Sequence, residues 1–134
     1  MRVFLDTNVL VAAFATRGLC ADVLRETLSR HELIVGEVVL VELERALTRR
    51  LRLPASAAEA VLEFLREHEV VPKPAKPTSL PIRDPSDRWI LASAISARAD
   101  VLVPGDRDLL DIAAQSPLRI LDPRAFWELA RKRR

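Results

Sequence analysis

The sequence predicts a three-layer α/β/α fold, in which a central parallel sheet of four to five strands lies between two layers of helices. Short apolar runs alternate with amphipathic segments along the whole chain, and this alternation is typical of parallel sheets covered on both faces. The chain has 134 residues, a length typical of one domain with one core. We therefore expect residues 1–134 to form a single α/β domain.

Five short apolar runs are predicted to be strands, because each is short and bounded by polar or turn-forming residues. They are residues 3–5, 33–35, 70–71, 101–103 and 118–121. No glycine-rich loop follows the first strand. This absence disfavours dinucleotide sites and Walker-type phosphate sites.

The segments between these runs are predicted to be helices. Residues 9–15 are small and apolar, which suits a buried first helix, and apolar residues recur at helical spacing over 21–30, 37–51 and 57–67. Shorter helical segments are expected over 109–114 and from Asp122 into the basic tail 131–134. The proline-rich residues 72–83 are predicted to form a surface loop, since proline lacks a backbone donor.

The clearest helix starts at Asp84, a good N-cap that is followed by Pro85 at the first helical position. Its body over residues 89–97 is nearly uncharged. We expect this helix to be buried on most of its sides.

Composition narrows the class of protein. Hydrophobic residues make up 49% of the chain and charged residues 30%, which indicates a globular protein. No apolar run approaches the roughly 20 residues needed to cross a bilayer, and Asp6 ends the first run too early for a signal peptide. We expect a soluble, cytoplasmic protein without membrane contact. Cys20, His31 and His68 lack the paired spacing of zinc ligands, and the single cysteine excludes an internal disulfide.

Six acidic residues stand out by their positions relative to the predicted elements. They are Asp6 after the first strand, Glu42 on the helix over 37–51, Asp84 and Asp87 at the start of the clearest helix, and Asp106 and Asp108 after the fourth strand. Taken singly, the residues other than Asp6 have structural explanations, as helix caps or, for Glu42, as a solvated helix charge. Asp6 differs because we expect no helix to begin directly after it.

Taken together, these positions predict a shared acidic pocket. The first and fourth strands of a doubly wound sheet deliver Asp6 and Asp106 to one edge, where the buried helix presents Asp87. Two carboxylates about 4 Å apart repel by roughly 4 kcal/mol at an effective dielectric near 20. Three or four such groups therefore cannot share a pocket unless some are protonated or a cation is present. Oxygen ligands without His or Cys favour Mg²⁺ or Mn²⁺. Without four such carboxylates the formal net charge rises from +2 to +6, which suits a polyanionic substrate.

Four segments resemble a PIN domain in their order and spacing. They are Val-Phe-Leu-Asp6-Thr7-Asn8, Glu42-Leu43, Asp84-Pro-Ser-Asp87-Arg-Trp-Ile-Leu-Ala and Val-Pro-Gly-Asp106-Arg-Asp108-Leu-Leu. The resemblance covers essentially the whole chain and is closest to small bacterial and archaeal PIN proteins, a group that includes the VapC-type toxins. One departure is Pro104, where many relatives have a hydroxyl residue two positions before the last acid.

The resemblance implies a metal-dependent ribonuclease. Its acidic quartet would be Asp6, Glu42, Asp87 and Asp106, with Asp6, Asp87 and Asp106 as metal ligands. The accessory residues would be Thr7, Asn8, Asp84 and Asp108, with Asn8 orienting Asp6 or a water on the metal. The resemblance also implies a homodimer and a partner antitoxin that blocks the pocket with an Arg or Lys.

The expected reaction is hydrolysis of single-stranded or looped RNA with one or two Mg²⁺ or Mn²⁺ ions. Arg83, Arg88 and Arg107 lie beside the acids in sequence and could bind RNA phosphates, although Arg88 and Arg107 could equally be solvated helix charges. The tail 131–134 could be a frayed, solubilising end or an RNA contact.

Two other functions stay open. The first is a non-catalytic or metal-poor PIN-fold module that binds nucleic acid or protein, in part because of Pro104. The second is a phosphatase that uses Asp6 as a nucleophile. That chemistry normally needs a second Asp two residues later as general acid, and Asn8 stands there instead, which disfavours it.

Overall fold

A computed structural model describes residues 1–132, and its centre is a five-stranded sheet. The strands are β1 (Arg2–Leu5), β2 (Glu32–Gly36), β3 (Glu69–Val71), β4 (Val101–Val103) and β5 (Arg119–Ile120). They lie in the order β3-β2-β1-β4-β5, and every neighbouring pair is parallel. Helices flank the sheet, so the predicted three-layer α/β/α fold is confirmed, with five strands.

Seven α-helices connect and cover these strands. They are α1 (Thr7–Ala15), α2 (Leu19–Arg30), α3 (Glu37–Arg45), α4 (Ala55–Arg66), α5 (Pro85–Ser96), α6 (Arg107–Leu110) and α7 (Pro123–Lys132) in the described residues 1–132. A π-helical turn over Ala46–Arg50 extends α3, and a 3₁₀ turn over Ala113–Gln115 follows α6. The predicted loop over residues 72–83 contains neither helix nor strand.

The expectation that no helix begins directly after Asp6 is wrong. Helix α1 starts at Thr7, where the Thr7 N–H donates to Asp6 Oδ1 at 2.6 Å. The Asp6 side chain therefore caps α1 as well as ending β1, and the helix starts two residues earlier than its apolar content predicts.

Two other helix predictions differ from the structure. The predicted helix over 109–114 starts earlier, at Arg107, because Asp106 caps it, and it breaks after Leu110. The last helix is observed as Pro123–Lys132, while the rest of the predicted basic tail, residues 133–134, lies outside the described residues.

The sheet centre positions the acidic edge. Val3, Phe4 and Leu5 of β1 are fully buried, and β1 lies between β2 and β4. The strand order changes direction at the β1–β4 pair, and ligands of open α/β sheets bind outside the carboxyl ends of strands at this kind of switch point. Among residues 1–132, no single helix is long and apolar enough to cross a membrane. Only α1 and α2 taken together, with a bend of 103° between them, have the length and composition that a membrane span needs.

Candidate active site

Three helix N-termini meet at the carboxyl edge of β1 and β4. Asp6 caps α1, Asp84 caps α5 and Asp106 caps α6. The register between β1 and β4 continues past the strands, because the Asp6 N–H donates to the Val103 carbonyl at 3.1 Å. Since the two strands are parallel and adjacent, Asp6 and Asp106 emerge on the same side of the sheet.

The structure brings together three carboxylates from these elements. Asp6, Asp87 and Asp106 each offer one oxygen, and these oxygens lie within 4.8 Å of one another. Asp6 is 2% exposed and Asp87 is 4% exposed, whereas Asp106 is half-buried. The convergence that the sequence predicted is therefore present in the fold.

Asp6 is held in place by main-chain donors on both of its oxygens. Thr7 N–H donates to Oδ1, and Gly105 N–H donates to Oδ2 at 3.3 Å. The wall that contains Pro104 thus supplies a polar contact through the neighbouring amide. Burial raises the pKa of Asp6 to about 6; the two amides oppose this shift, and the charges of Asp106 and Glu42 add to it.

Of the three carboxylates, Asp87 has the least favourable environment for a negative charge. Its Oδ2 is buried and has no hydrogen-bond partner among residues 1–132. Burial raises the pKa of Asp87 to about 8, and the nearby charges of Asp6 and Asp106 are the next largest causes. Without a cation, this pocket therefore favours protonation of Asp87 at neutral pH.

Glu42 forms a bridge between three helices, although it lies outside the group of three carboxylates. Thr7 Oγ1 donates to Glu42 Oε1 at 2.6 Å, and Ser86 Oγ donates to Glu42 Oε2 in a short hydrogen bond. The explanation of Glu42 as a solvated helix charge is wrong, because its carboxylate is half-buried and accepts from α1 and α5.

A second acidic group shares Asp87 with the first. Oxygens of Asp84, Asp87 and Asp108 also lie within 4.8 Å of one another. Asp84 Oδ1 accepts from Ser86 N–H at 2.9 Å, and Asp106 Oδ1 accepts from Asp108 N–H at 3.1 Å. Capping and membership of the acidic cluster are therefore compatible, because a cap uses one oxygen and leaves the other available.

The sequence model of the PIN domain matches residues 2–108. This chain belongs to the PIN-domain family. No curated protein sequence matches it significantly.

Solved structures of the same fold include VapBC2 from Rickettsia felis, bound to a DNA fragment from its promoter (TM-score 0.65, 20% identity, 91% of this chain and 98% of the other). VapBC-1 from nontypeable Haemophilus influenzae matches with a TM-score of 0.63 and 20% sequence identity. The match covers 92% of this chain and 99% of the other. A domain of a functionally unknown protein from Methanocaldococcus jannaschii matches with a TM-score of 0.59 and 20% sequence identity. The match covers 90% of this chain and 89% of the other. At this identity the likeness concerns the fold.

The acidic pocket of this PIN domain has the properties of a divalent-metal site. Its donors are hard carboxylate oxygens, and neither acidic group contains His or Cys. A dication would satisfy the orphaned Oδ2 of Asp87 and offset the repulsion that raises the pKa of Asp6 and Asp87. The residues present therefore fit such an ion.

The other predicted residues occupy varied positions around this pocket. Asn8 is exposed, and its side chain makes no hydrogen bond to Asp6 in the described part of the chain. It packs instead on Gly105, where an added Cβ would lie 2.5 Å from Asn8 Cβ. Arg83 and Arg107 are exposed, whereas Arg88 Nε donates to the Ile82 carbonyl at 2.8 Å and so supports the loop before α5.

Three arginines beside the PIN-domain site were not predicted as candidates. Arg45, Arg49 and Arg50 line a cavity of about 250 Å³ together with Thr7, Asn8, Ala46 and Glu42. The helical spacing over residues 37–51 could have identified two of these arginines, since residues three and seven positions after Glu42 share its face of the helix.

Proposed function

We propose that this PIN-domain protein is a Mg²⁺- or Mn²⁺-dependent endoribonuclease that hydrolyses single-stranded or looped RNA. The observation that carries the proposal is the convergence of Asp6, Asp87 and Asp106 within 4.8 Å, with a buried Asp87 oxygen that has no partner in residues 1–132. Carboxylates are expensive to bury in this way unless a cation is bound. PIN domains are typically nucleases, which agrees with this chemistry.

In this proposal Asp6, Asp87 and Asp106 hold the ion. A bound divalent ion lowers the pKa of water and offsets negative charge that develops on a phosphodiester. The chain's part is to hold the carboxylates in register, and Thr7 N–H and Gly105 N–H do this for Asp6. Glu42 is fixed by Thr7 and Ser86, which suits a carboxylate that accepts a proton at the edge of the pocket.

The second acidic group offers a place for another ion. Asp84 and Asp108 share Asp87 with the first group, so one carboxylate with two oxygens can contribute to both. We include this second position in the proposal, with Asp84 and Asp108 as accessory acids.

Substrate binding is assigned to the cations around the pocket. Arg45, Arg49 and Arg50 form one rim, and the exposed Arg83 and Arg107 flank the acids in sequence. Such side chains suit RNA phosphates, because Arg binds phosphate through several parallel donors. Arg88 has a lesser part here, since it already donates to a main-chain carbonyl.

The proposal extends to the toxin of a cytoplasmic toxin–antitoxin pair that acts as a homodimer. Two proteins of the same fold are VapBC complexes, which supports this context. An antitoxin with an Arg or Lys side chain would neutralise the acidic pocket and so block it. The neighbouring gene tests this part: a small adjacent gene whose product binds this chain and inhibits it is expected, and a solitary gene would favour a housekeeping nuclease.

Mutation of the proposed ligands tests the activity itself. Wild type should cleave RNA with Mn²⁺ and lose cleavage in EDTA, and Asp6→Asn should lose it by at least about a hundredfold. The matched control is Asp111→Asn, which changes an exposed acid after α6. Equal Mn²⁺-dependent cleavage by Asp6→Asn, in a preparation free of other nucleases, would refute the site.

Calorimetry distinguishes a nuclease from the metal-poor binding module. We expect wild type to bind Mn²⁺ in the micromolar to millimolar range and Asp87→Asn to bind it much more weakly. Folded wild-type protein that binds no Mn²⁺ at millimolar concentration would instead support the binding module.

A further inference from the structure

A second cavity lies beside the acidic pocket and shares Glu42 with the cavity that the arginine rim lines. It has a volume of about 310 Å³ and is lined by Glu37, Val38, Val41, Glu42, Lys73, Ser86 and Trp89. Glu42 and Ser86, which share a hydrogen bond, form the wall between this cavity and the acids. A strand of RNA that crosses the acidic pocket would therefore pass the mouth of this cavity. We call it the Trp89 cavity.

The walls of the Trp89 cavity combine an aromatic face with apolar side chains. Trp89 lies two residues after Asp87 on α5, and Val41, on α3, is 49% exposed. An apolar side chain beside an aromatic ring, at the edge of a polar site, is a surface on which a flat apolar group can bind. A planar, weakly polar group that stacks on the indole would cover both the Trp89 ring and the Val41 side chain.

One cation stands over the aromatic face. Lys73 Nζ lies 4.4 Å from the centre of the Trp89 ring. No carboxylate of residues 1–132 pairs with Lys73. Two acids line this cavity, and one of them, Glu37, is paired with Arg66 at 2.7 Å. The other, Glu42, accepts from Thr7 and Ser86. Lys73 belongs to the proline-rich loop over 72–83 and is exposed, so its ammonium can leave the ring without breaking an ion pair.

We propose that the Trp89 cavity binds the base of the RNA nucleotide next to the cleaved phosphodiester. The base stacks on Trp89, and Lys73 moves from the ring to the phosphate of that nucleotide. We expect the replacement of the Lys73 ammonium by a base over the Trp89 ring to be favourable. Stacking of a base on an aromatic side chain is stronger than an exposed cation–π contact, and the displaced ammonium gains a phosphate partner. This inference rests on the proposed ribonuclease function and makes Trp89 a residue that positions the substrate.

Fluorescence tests the stacking directly. The chain has two tryptophans, and Trp127 lines a different cavity with Asp22 and Arg25. A Trp127→Phe variant therefore reports on Trp89 alone. The probe is a short single-stranded RNA, added with Ca²⁺ in place of Mn²⁺ and checked for intactness, and the control is an abasic oligonucleotide of the same length and charge.

We expect the RNA to quench Trp89 fluorescence and the abasic oligonucleotide to leave it nearly unchanged. In the wild-type background, Trp89→Leu should weaken RNA binding by about tenfold, and Trp89→Phe should restore most of the affinity because it keeps a stacking face. Lys73→Gln should weaken binding of the RNA and of the abasic oligonucleotide alike. Thermal melts of each variant separate these effects from loss of folding.

Three other outcomes would overturn the inference, and they are distinguishable. Mn²⁺-dependent RNA cleavage without quenching, together with wild-type affinity in Trp89→Leu, would leave the ribonuclease intact and reject the base site. Quenching by the abasic oligonucleotide as strong as that by RNA would assign the cavity to phosphate alone. A chain that neither binds nor cleaves RNA, but whose Trp89 responds to the antitoxin, would reject the ribonuclease proposal and assign the cavity to a protein partner.

Discussion

The exchange of Asp87 for Asn should stabilise this protein when no metal is bound. Asp87 is buried, its Oδ2 has no partner in residues 1–132, and its pKa is raised to about 8 by burial and by the charges of Asp6 and Asp106. Asparagine keeps the shape of the side chain and removes the charge. Its amide can donate to the neighbouring carboxylates, so the pocket would gain a hydrogen bond where it now has repulsion.

The sign of the pH dependence follows from the raised pKa. Between pH 4 and pH 8 the folded protein keeps a proton on Asp87 that the unfolded chain loses, because the ordinary pKa is 3.8. The contribution of Asp87 to the stability of the metal-free wild type is therefore largest near pH 4, and it falls as the pH rises towards 8. Asp6, whose pKa is raised to about 6, acts in the same direction over a narrower range.

The size of the effect follows from the shift. One pKa unit corresponds to 1.36 kcal/mol, so the shift of the Asp87 pKa from 3.8 to about 8 sets an upper bound of about 6 kcal/mol on the stability lost by pH 8. Water entry and relaxation reduce such penalties, and we expect a gain of about 2–3 kcal/mol for Asp87→Asn at pH 8. This corresponds to a melting temperature higher by about 10 °C for a chain of this length.

The assay is thermal unfolding in EDTA at pH 5 and pH 8, repeated with millimolar Mn²⁺. Asp87→Asn should melt above wild type at pH 8 in EDTA, with a smaller difference at pH 5. Mn²⁺ should raise the melting temperature of wild type much more than that of Asp87→Asn. Asp111→Asn, which changes an exposed acid, should follow wild type throughout. Metal-free wild type whose stability is flat or rises from pH 5 to pH 8 would refute the reasoning.

Two other predictions concern the walls of the site. Gly105→Ala should lower the free energy of unfolding by about 1–3 kcal/mol and should reduce metal binding. The reason is that an added Cβ would lie 2.5 Å from the Asn8 side chain. The control is Gly18→Ala, whose added Cβ meets nothing within 4 Å and which should be nearly neutral in the same melts. Replacement of Arg49 and Arg50 by Gln should make RNA binding less salt-dependent, lowering the slope of log K against log[salt] by about 1.4. The control is Arg17→Gln, which removes one exposed charge just after α1 and outside this cavity's lining. An unchanged slope in the double variant would exclude this rim from the RNA path.

The sequence was sufficient for the fold class and for most of the acidic site. Short apolar runs determine strands locally, and the carboxyl ends of parallel strands meet at one edge regardless of detail, so Asp6 and Asp106 could be placed together in advance. Asp87 could be added because the cap at Asp84 and the proline after it define where α5 begins. These inferences need only local chemistry and the geometry of a parallel sheet.

Other features depended on contacts between residues distant in sequence. The Glu42 carboxylate differs from an ordinary surface charge only because Thr7 and Ser86, 35 and 44 positions away, donate to it. The start of α1 was mispredicted for a local reason. The apolar pattern begins at Val9, but the Asp6 side chain accepts from the Thr7 N–H and so starts the helix two residues earlier.

The sequence by itself therefore determined the order of elements and the residues that supply carboxylates to one sheet edge. The tertiary structure alone decided which oxygens remain available, since Thr7 and Gly105 hold Asp6 while Asp87 Oδ2 is left without a partner in residues 1–132. It also decided that Lys73 lies over Trp89 beside this pocket. The physical reason is that burial and pairing are properties of packing between distant segments, and a local pattern of residue types does not contain them.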